Sequence, residues 1–218
     1  MALAIFDLDN TLLAGDSDYL WGVFLSEQGV VDRDHYEREN QRFYAAYEAG
    51  TLDIHEWLRF SLRPLRDTEP ERLYRLRERF MREKIEPLIP AASVDLIRRH
   101  RDAGDIAMII TATNSFITRP IAERLGVEHL LATEPEMAGG RFTGEVVGTP
   151  TFREGKVERL EAWLRETGHD LRDSTFYSDS HNDLPLLERV AHPVAVDPDE
   201  TLARIARERG WPLLRLHP

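Results

Sequence analysis

The sequence contains no cysteine among its 218 residues. Disulfides and thiolate nucleophiles are therefore excluded, and a zinc site would have to be built from histidine and carboxylates alone. Long hydrophobic runs are missing as well. The start, MALAIFDLDN, has no basic stretch and too short an apolar run for a signal peptide, and no later run approaches the roughly 20 residues of a membrane span. Positive charge is scarce: 28 Lys and Arg stand against 39 Asp and Glu, a formal net charge of -11. That balance argues against nucleic acid or an anionic membrane as partner. It also sets a condition, because an anionic substrate needs local positive charge from a metal or a few placed cations. The expectation is a soluble cytoplasmic protein acting on a small molecule. Its length allows one domain with a substantial insertion, or two small domains.

What the chain does have is an apolar strand near its start, residues 2–6, that runs into DLDNT at 7–11. Asp and Asn are poor strand residues, and such a run usually marks only a turn. From Asp16 to about Ile85 the pattern is helical. Tyr19, Leu20, Val23 and Phe24 share a face, as do Phe43, Tyr44 and Tyr47, and then Leu73, Leu76 and Phe80. Gly29, Gly50, Pro64 and Pro70 divide this stretch into a bundle of about four helices. Beyond Pro87 and Pro90 strands and helices alternate. Helices are expected at 91–103, 116–125, 155–167, 183–190 and 199–209. Strands are expected at 106–110, 129–132, 174–178 and 193–196, with a short last one at 213–216. A hairpin is centred on Gly139-Gly140.

The alternation predicts an α/β fold: a doubly wound parallel sheet with a Rossmann-like core and a helical cap inserted after the first strand. The core takes residues 1–15 and 87–218, the cap 16–86. Active sites of such sheets lie at the carboxyl ends of the strands. Polar residues at those ends should then form one set, and they do: Asp7 after the first strand, Thr111 after the second, Asp179 after the strand at 174–178. A turn-only explanation does not account for three matching strand ends.

Clustered carboxylates repel one another unless a cation joins them, and their oxygens suit Mg²⁺, which favours few carboxylates, several waters and phosphate oxygens. Lys156 opens a helix and offers an ammonium. Thr111 begins the turn TATNSF, whose N–H groups precede a helix and suit an anion. A metal, a lysine, a helix N-terminus and a carboxylate nucleophile together describe phosphoryl transfer through an aspartyl-phosphate, on a small-molecule phosphate monoester.

DLDNT at 7–11, Thr111 after MII, Lys156, and SDSHND at 178–183 resemble the four motifs of the haloacid dehalogenase-like hydrolases. The order of the motifs and the place of the insertion resemble the phosphoserine-phosphatase-like branch over the whole chain. The resemblance implies that Asp7 attacks phosphorus and that Asp9 protonates the leaving oxygen and then activates water. It implies that Thr111 and Lys156 bind the phosphoryl group, with Asn114 and Asn182 as further phosphate contacts. Asp7, the backbone carbonyl of Asp9, and Asp179 would hold Mg²⁺, and Asp183 would act behind them on Lys156 or a metal-bound water. Plainer readings exist for single residues: Thr111 and Asp183 as helix caps, Lys156 as a solvated lysine, His181 as a position facing solvent or substrate. The aromatics of the insertion read mostly as its own core, with Trp21 available to line a substrate pocket.

Phosphoserine phosphatases carry an acidic amine reader after the first motif and an arginine that clamps the substrate carboxylate. Here Asp16 or Asp18 stands at the first place. Ser61 stands at the second, with Arg59 and Arg63 two residues to either side. An amine reader without a carboxylate clamp, beside an aromatic-rich cap, fits histidinol phosphate, on which some members of the branch act. Phosphoserine is the next choice. A receiver-like phosphoacceptor module is an alternative of another class, but it needs neither Asp9 nor a cap. Dehalogenation would leave the Asp9, Asp179 and Asp183 set without a use.

Overall fold

Leu3–Phe6 is too short to stand alone as a strand, and every one of its side chains is buried. It forms the centre of the sheet. The computed structural model describes residues 2–217, and among these a seven-stranded sheet has the order β4-β3-β2-β1-β5-β6-β7. The strands are β1 (Leu3–Phe6), β2 (Ile106–Asn114), β3 (His129–Ala138), β4 (Arg141–Val147), β5 (Thr175–Ser178), β6 (His192–Val196) and β7 (Leu213–Leu214). All neighbours pair parallel except β3 and β4, which form the expected hairpin. The chain builds outward from β1 to β2 and β3 on one side, then returns to β5, β6 and β7 on the other. The reversal leaves a crevice above the carboxyl ends of β1, β2 and β5, where ligands of such sheets bind.

Alternation along β1 divides the core into two layers. Leu3 and Ile5 pack with Met108, Ile110, Phe176 and Leu160. Ala4 and Phe6 face the other side, with Ile109, Tyr177 and Ile97. That second layer continues into helices that follow β1, namely α1 (Ser17–Glu27), α3 (Ile54–Ser61), α4 (Arg63–Asp67) and α5 (Pro70–Phe80), while α2 (Arg33–Glu48) packs on α1. A π-turn at Met81–Ile85 and a 3₁₀ turn at Glu86–Leu88 lead back to the sheet. Five helices stand where about four were expected, because Pro64 starts a fresh turn just after Leu62 ends α3. Trp21 does not line a pocket. It is buried against Phe80, with ring centroids 5.1 Å apart, and against Phe116 of α7 (Ser115–Leu125) at 5.9 Å. Burial of one such side chain contributes about 1.5–3 kcal/mol.

The remaining helices are α6 (Ala91–Asp102), α8 (Glu154–Thr167), α9 (Leu184–Leu187) and α10 (Glu200–Arg209). Three differences from the sequence reading bear on the crevice. β2 does not stop at Thr111 but runs on to Asn114, with its register against β3 broken between Ile110 and Asn114. β3 runs straight from the parallel sheet into the hairpin instead of ending at residue 132. The helix expected at 183–190 shrinks to a 3₁₀ turn, His181–Asp183, and the single turn of α9. Among the described residues no helix is long and apolar enough to cross a membrane.

Gly155 sets the start of α8. A Cβ there would collide with the carbonyl oxygen of Pro150, so only glycine lets the turn before α8 close. Gly155→Ala should lower stability by about 1–3 kcal/mol, the usual cost of overpacking. Urea unfolding checks it, and an unchanged midpoint would show that the turn yields freely.

Candidate active site

The turn after β1 explains its own composition. The N–H of Asp7 still bonds the Tyr177 carbonyl at 2.9 Å, so its carboxylate stands at the very end of the β1–β5 ladder. Asn10 takes a left-handed conformation, φ 56°, which asparagine tolerates better than most residues. Thr11 then reaches across to β5. Its hydroxyl donates to Asp179 Oδ1 at 2.8 Å and accepts from the Asp179 N–H at 3.0 Å, locking the first motif to the last.

Lys156, in the first turn of α8, is buried to 3 % exposure. Its Nζ donates to Asp7 Oδ1 and to Asp183, each at 2.8 Å. Asp183 also accepts from the Ser178 hydroxyl at 2.7 Å. Its carboxylate therefore makes no capping bond to α9, and the cap reading gives way. Burial alone would lower the proton affinity of Lys156, but Asp183 and Asp7 more than reverse this, so it is held as an ammonium. Asp9 is fixed at both oxygens. Oδ1 accepts from the Ser17 N–H at 2.6 Å, and Oδ2 from the Thr113 hydroxyl at 2.8 Å. Thr113 was not singled out in the sequence; only the longer β2 carries it to this position.

One cleft gathers Asp7, Asp9, Asp16, Thr111, Lys156, Asn182 and Asp183. Asp179 lies beside Asp7, whose charge, after burial, pushes its carboxyl up. Asn114 does not line the cleft. It is buried with Oδ1 unpartnered, and Thr111, Ala112 and Thr113 form that part of the wall. The Thr111 hydroxyl accepts from the Thr113 N–H at 3.2 Å and does not cap α7, whose N-cap position is Asn114. His181 is not a free position either, since its Nδ1 lies 2.8 Å from Asp199.

The helical side of the cleft is aromatic and acidic. Phe43, Tyr44, Tyr47 and Trp57 line it, although they read as internal core in the sequence. Amphipathic periodicity marks a buried face without saying whether protein or ligand covers it. Asp16 caps α1, with Oδ1 accepting the Asp18 and Tyr19 N–H groups at 2.9 Å. Asp18 Oδ2 accepts the Trp57 indole N–H at 3.1 Å. Ser61 is buried away from the cleft, and Arg63 turns out to pair with Asp67 at 3.3 Å. Among the described residues lining the cleft, Lys156 is the one cation. At the rim Arg153, itself at φ 50°, donates to the Gly50 carbonyl and to Asn182 Oδ1, while Asn182 Nδ2 donates to the Tyr47 carbonyl at 3.1 Å.

A model of the haloacid dehalogenase-like hydrolases matches residues 4–188. The chain belongs to that family. It is an enzyme, a phosphatase of that family. The receiver alternative falls with this placement. A histidinol-phosphatase of Neisseria meningitidis serogroup C is 44% identical over 216 residues, covering 97% of each chain. A phosphoserine phosphatase of Mycobacterium tuberculosis is 33% identical over 218 residues, covering 96% of this chain and 69% of that protein. The crystal structure of a protein of unknown function from Bordetella pertussis Tohama I superposes with a TM-score of 0.93 at 45% identity, covering 99% of both chains.

Charge in the cleft is out of balance. Burial, opposed by Lys156, pushes the Asp7 carboxyl from 3.8 up to about 7, and burial with the charge of Asp16 pushes Asp9 from 3.8 up to about 6. In the unfolded chain both titrate near 3.8. The folded protein thus holds more protons across the window from about pH 4 to about pH 7, and stability falls as pH rises through it. In EDTA the melting temperature should therefore drop between about pH 4 and about pH 7. A metal-free melting temperature that climbs across this range would contradict the assigned charge imbalance.

Proposed function

We propose that the protein is a Mg²⁺-assisted phosphomonoesterase that works through an aspartyl-phosphate and takes histidinol phosphate as substrate. The observation that carries the reading is Lys156 set between Asp7 and Asp183 at 2.8 Å, buried in the wall of a cleft whose helical side is acidic and aromatic. The donor set fits the metal. Asp7, which is buried, and the half-buried Asp179, with the backbone carbonyl of Asp9, would hold Mg²⁺, which keeps several waters and needs no full cage of side chains. None is present among the described residues: no three His, Cys, Asp or Glu side chains form a cage. When bound, the ion supplies positive charge for the phosphoryl oxygens.

The residues then divide the work. The Asp7 carboxylate attacks phosphorus as the ester oxygen leaves. Lys156 holds that carboxylate in place and balances the phosphoryl charge, and Thr111 donates to a phosphoryl oxygen. Asp9, clamped by Ser17 and Thr113, gives its proton to the leaving alkoxide. The same carboxylate then takes a proton from the water that cleaves the aspartyl-phosphate. A carboxyl raised to about 6 suits both duties near neutral pH. Asp7→Asn should cost several orders of magnitude in kcat, as nucleophile removal does elsewhere. Asp9→Asn should accept a phosphoryl group from 4-nitrophenyl phosphate and then stall. Steady rapid turnover by Asp9→Asn, with no phosphoprotein trapped by acid quench, would move the proton transfers to another residue.

Substrate choice is argued from charge. Histidinol phosphate brings an amine and a ring and no carboxylate. Asp16 and Asp18 meet the amine, the aromatic wall meets the ring, and nothing on that wall requires an anion. The relationship to the meningococcal histidinol-phosphatase supports the same choice. Phosphoserine would bring its carboxylate against Asp16 and Asp18 with no arginine to receive it. An unpaired buried anion costs a few kcal/mol, or roughly a hundredfold in kcat/KM. The two substrates compared on one preparation decide this. Phosphoserine turned over as well as histidinol phosphate would return the assignment to the phosphoserine branch, where the mycobacterial relative stands.

A further inference from the structure

Asn40 is out of place on chemical grounds. It lies on α2, is 3 % exposed, and lines the cleft. Its Oδ1 has no hydrogen-bond partner among the described residues. A buried amide acceptor left unpaired is costly, and native structures seldom keep one without a use. Its neighbours make it more telling. Asn40, Phe43, Tyr44 and Tyr47 are spaced i, i+3, i+4 and i+7, so they share one face of α2, and all four line the cleft. Tyr47 marks the catalytic end, where its phenol feels Asp179, Asp183 and Asp7. Asn40 marks the far end, packed beside Gly22 of α1. Between them Phe43 and Trp57 stand edge to face, centroids 5.1 Å apart.

The helix therefore works as a ruler. Asn40 and Tyr47 are separated by about 10 Å along the axis at 1.5 Å per residue. Histidinol phosphate has seven bonds between phosphorus and its far ring nitrogen, a reach of about 9 Å at some 1.3 Å per bond. Phosphoserine ends five bonds from phosphorus and falls short. A neutral imidazole offers one N–H donor and asks for a neutral acceptor, whereas Asp16 and Asp18 suit the ammonium. We propose that Asn40 reads the heterocycle of the substrate, its amide accepting the ring N–H at the far end of the cleft. This rests on the histidinol phosphate reading and adds the residue that distinguishes a nitrogen ring from a carbon ring of the same size.

The test uses L-histidinol and L-phenylalaninol, amino alcohols of similar reach that differ in ring N–H. Calorimetry on the wild-type enzyme should show histidinol binding roughly tenfold or more tighter, the effect of one well-made hydrogen bond in a buried site. In Asn40→Leu that gap should shrink to about threefold or less, and the kcat/KM ratio of histidinol phosphate to O-phosphoethanolamine should fall roughly thirtyfold. The melting temperature should not fall, because the change removes an unpaired buried amide; a merely structural asparagine would lower it. Asn40→Ala, which favours the helix, covers the case in which the leucine variant fails to fold. Equal binding of the two amino alcohols by the wild type, or an unchanged ratio in the variants, overturns the assignment of Asn40. If phosphoserine matches histidinol phosphate, the substrate reading falls and takes this inference with it. If histidinol phosphate is preferred while the amino alcohols bind alike, only the inference falls.

Discussion

The ammonium of Lys156 is the constraint on which the cleft depends. It is buried, and it touches two carboxylates that come from opposite ends of the chain. A charge so enclosed is tolerable only when paired and hydrogen-bonded. Each partner is then forced into place. Asp7 must stand at the tip of β1, Asp183 must turn away from the helix it precedes, and α8 must begin close enough for the lysine to reach both. Gly155 meets the last demand by letting the chain fold tightly against Pro150. The catalytic geometry and the packing of the sheet's carboxyl edge are thus one problem with one solution.

The same pairing leaves Asp9, Asp16, Asp18 and Asp179 without a cation, each with its carboxyl pushed up, first of all by burial. A protein concerned only with stability would not collect them. Their presence is what the proposed function would use: a metal ion at one end and a substrate ammonium at the other would each bring the missing positive charge. Aromatic side chains line the space between.

Much of this was legible in the sequence, and the misses have a common cause. β1, the alternation after Pro90, and the convergence of Asp7, Thr111 and Asp179 follow from local pattern and from the rule that such sheets bind at their carboxyl ends. Thr113 escaped because Thr111 was read as the strand's last residue, and a register break within a strand leaves no periodic signal. Trp21 and Trp57 exchanged roles for a related reason. Both lie on apolar helical faces, and only tertiary packing decides which face meets Phe80 and which meets the cleft. Asn114 reads as a phosphate contact by its place in the turn, yet β2 carries it past the bend and into the interior.

The bonds at the rim bear on how a molecule enters and leaves. Arg153 and Asn182 hold the last carbonyls of α2 and its following turn, Tyr47 and Gly50, directly above the aspartates. A Cβ on Gly50 would lie only 3.1 Å from Arg153, so the two surfaces meet without slack. The last turn of α2 is therefore fastened to the sheet's carboxyl edge, while α1 packs on α7 and α4 on β4 further away. A molecule at that rim meets main-chain carbonyls already engaged by Arg153 and Asn182, and a wall whose last helical turn is tied down by side chains from the opposite face.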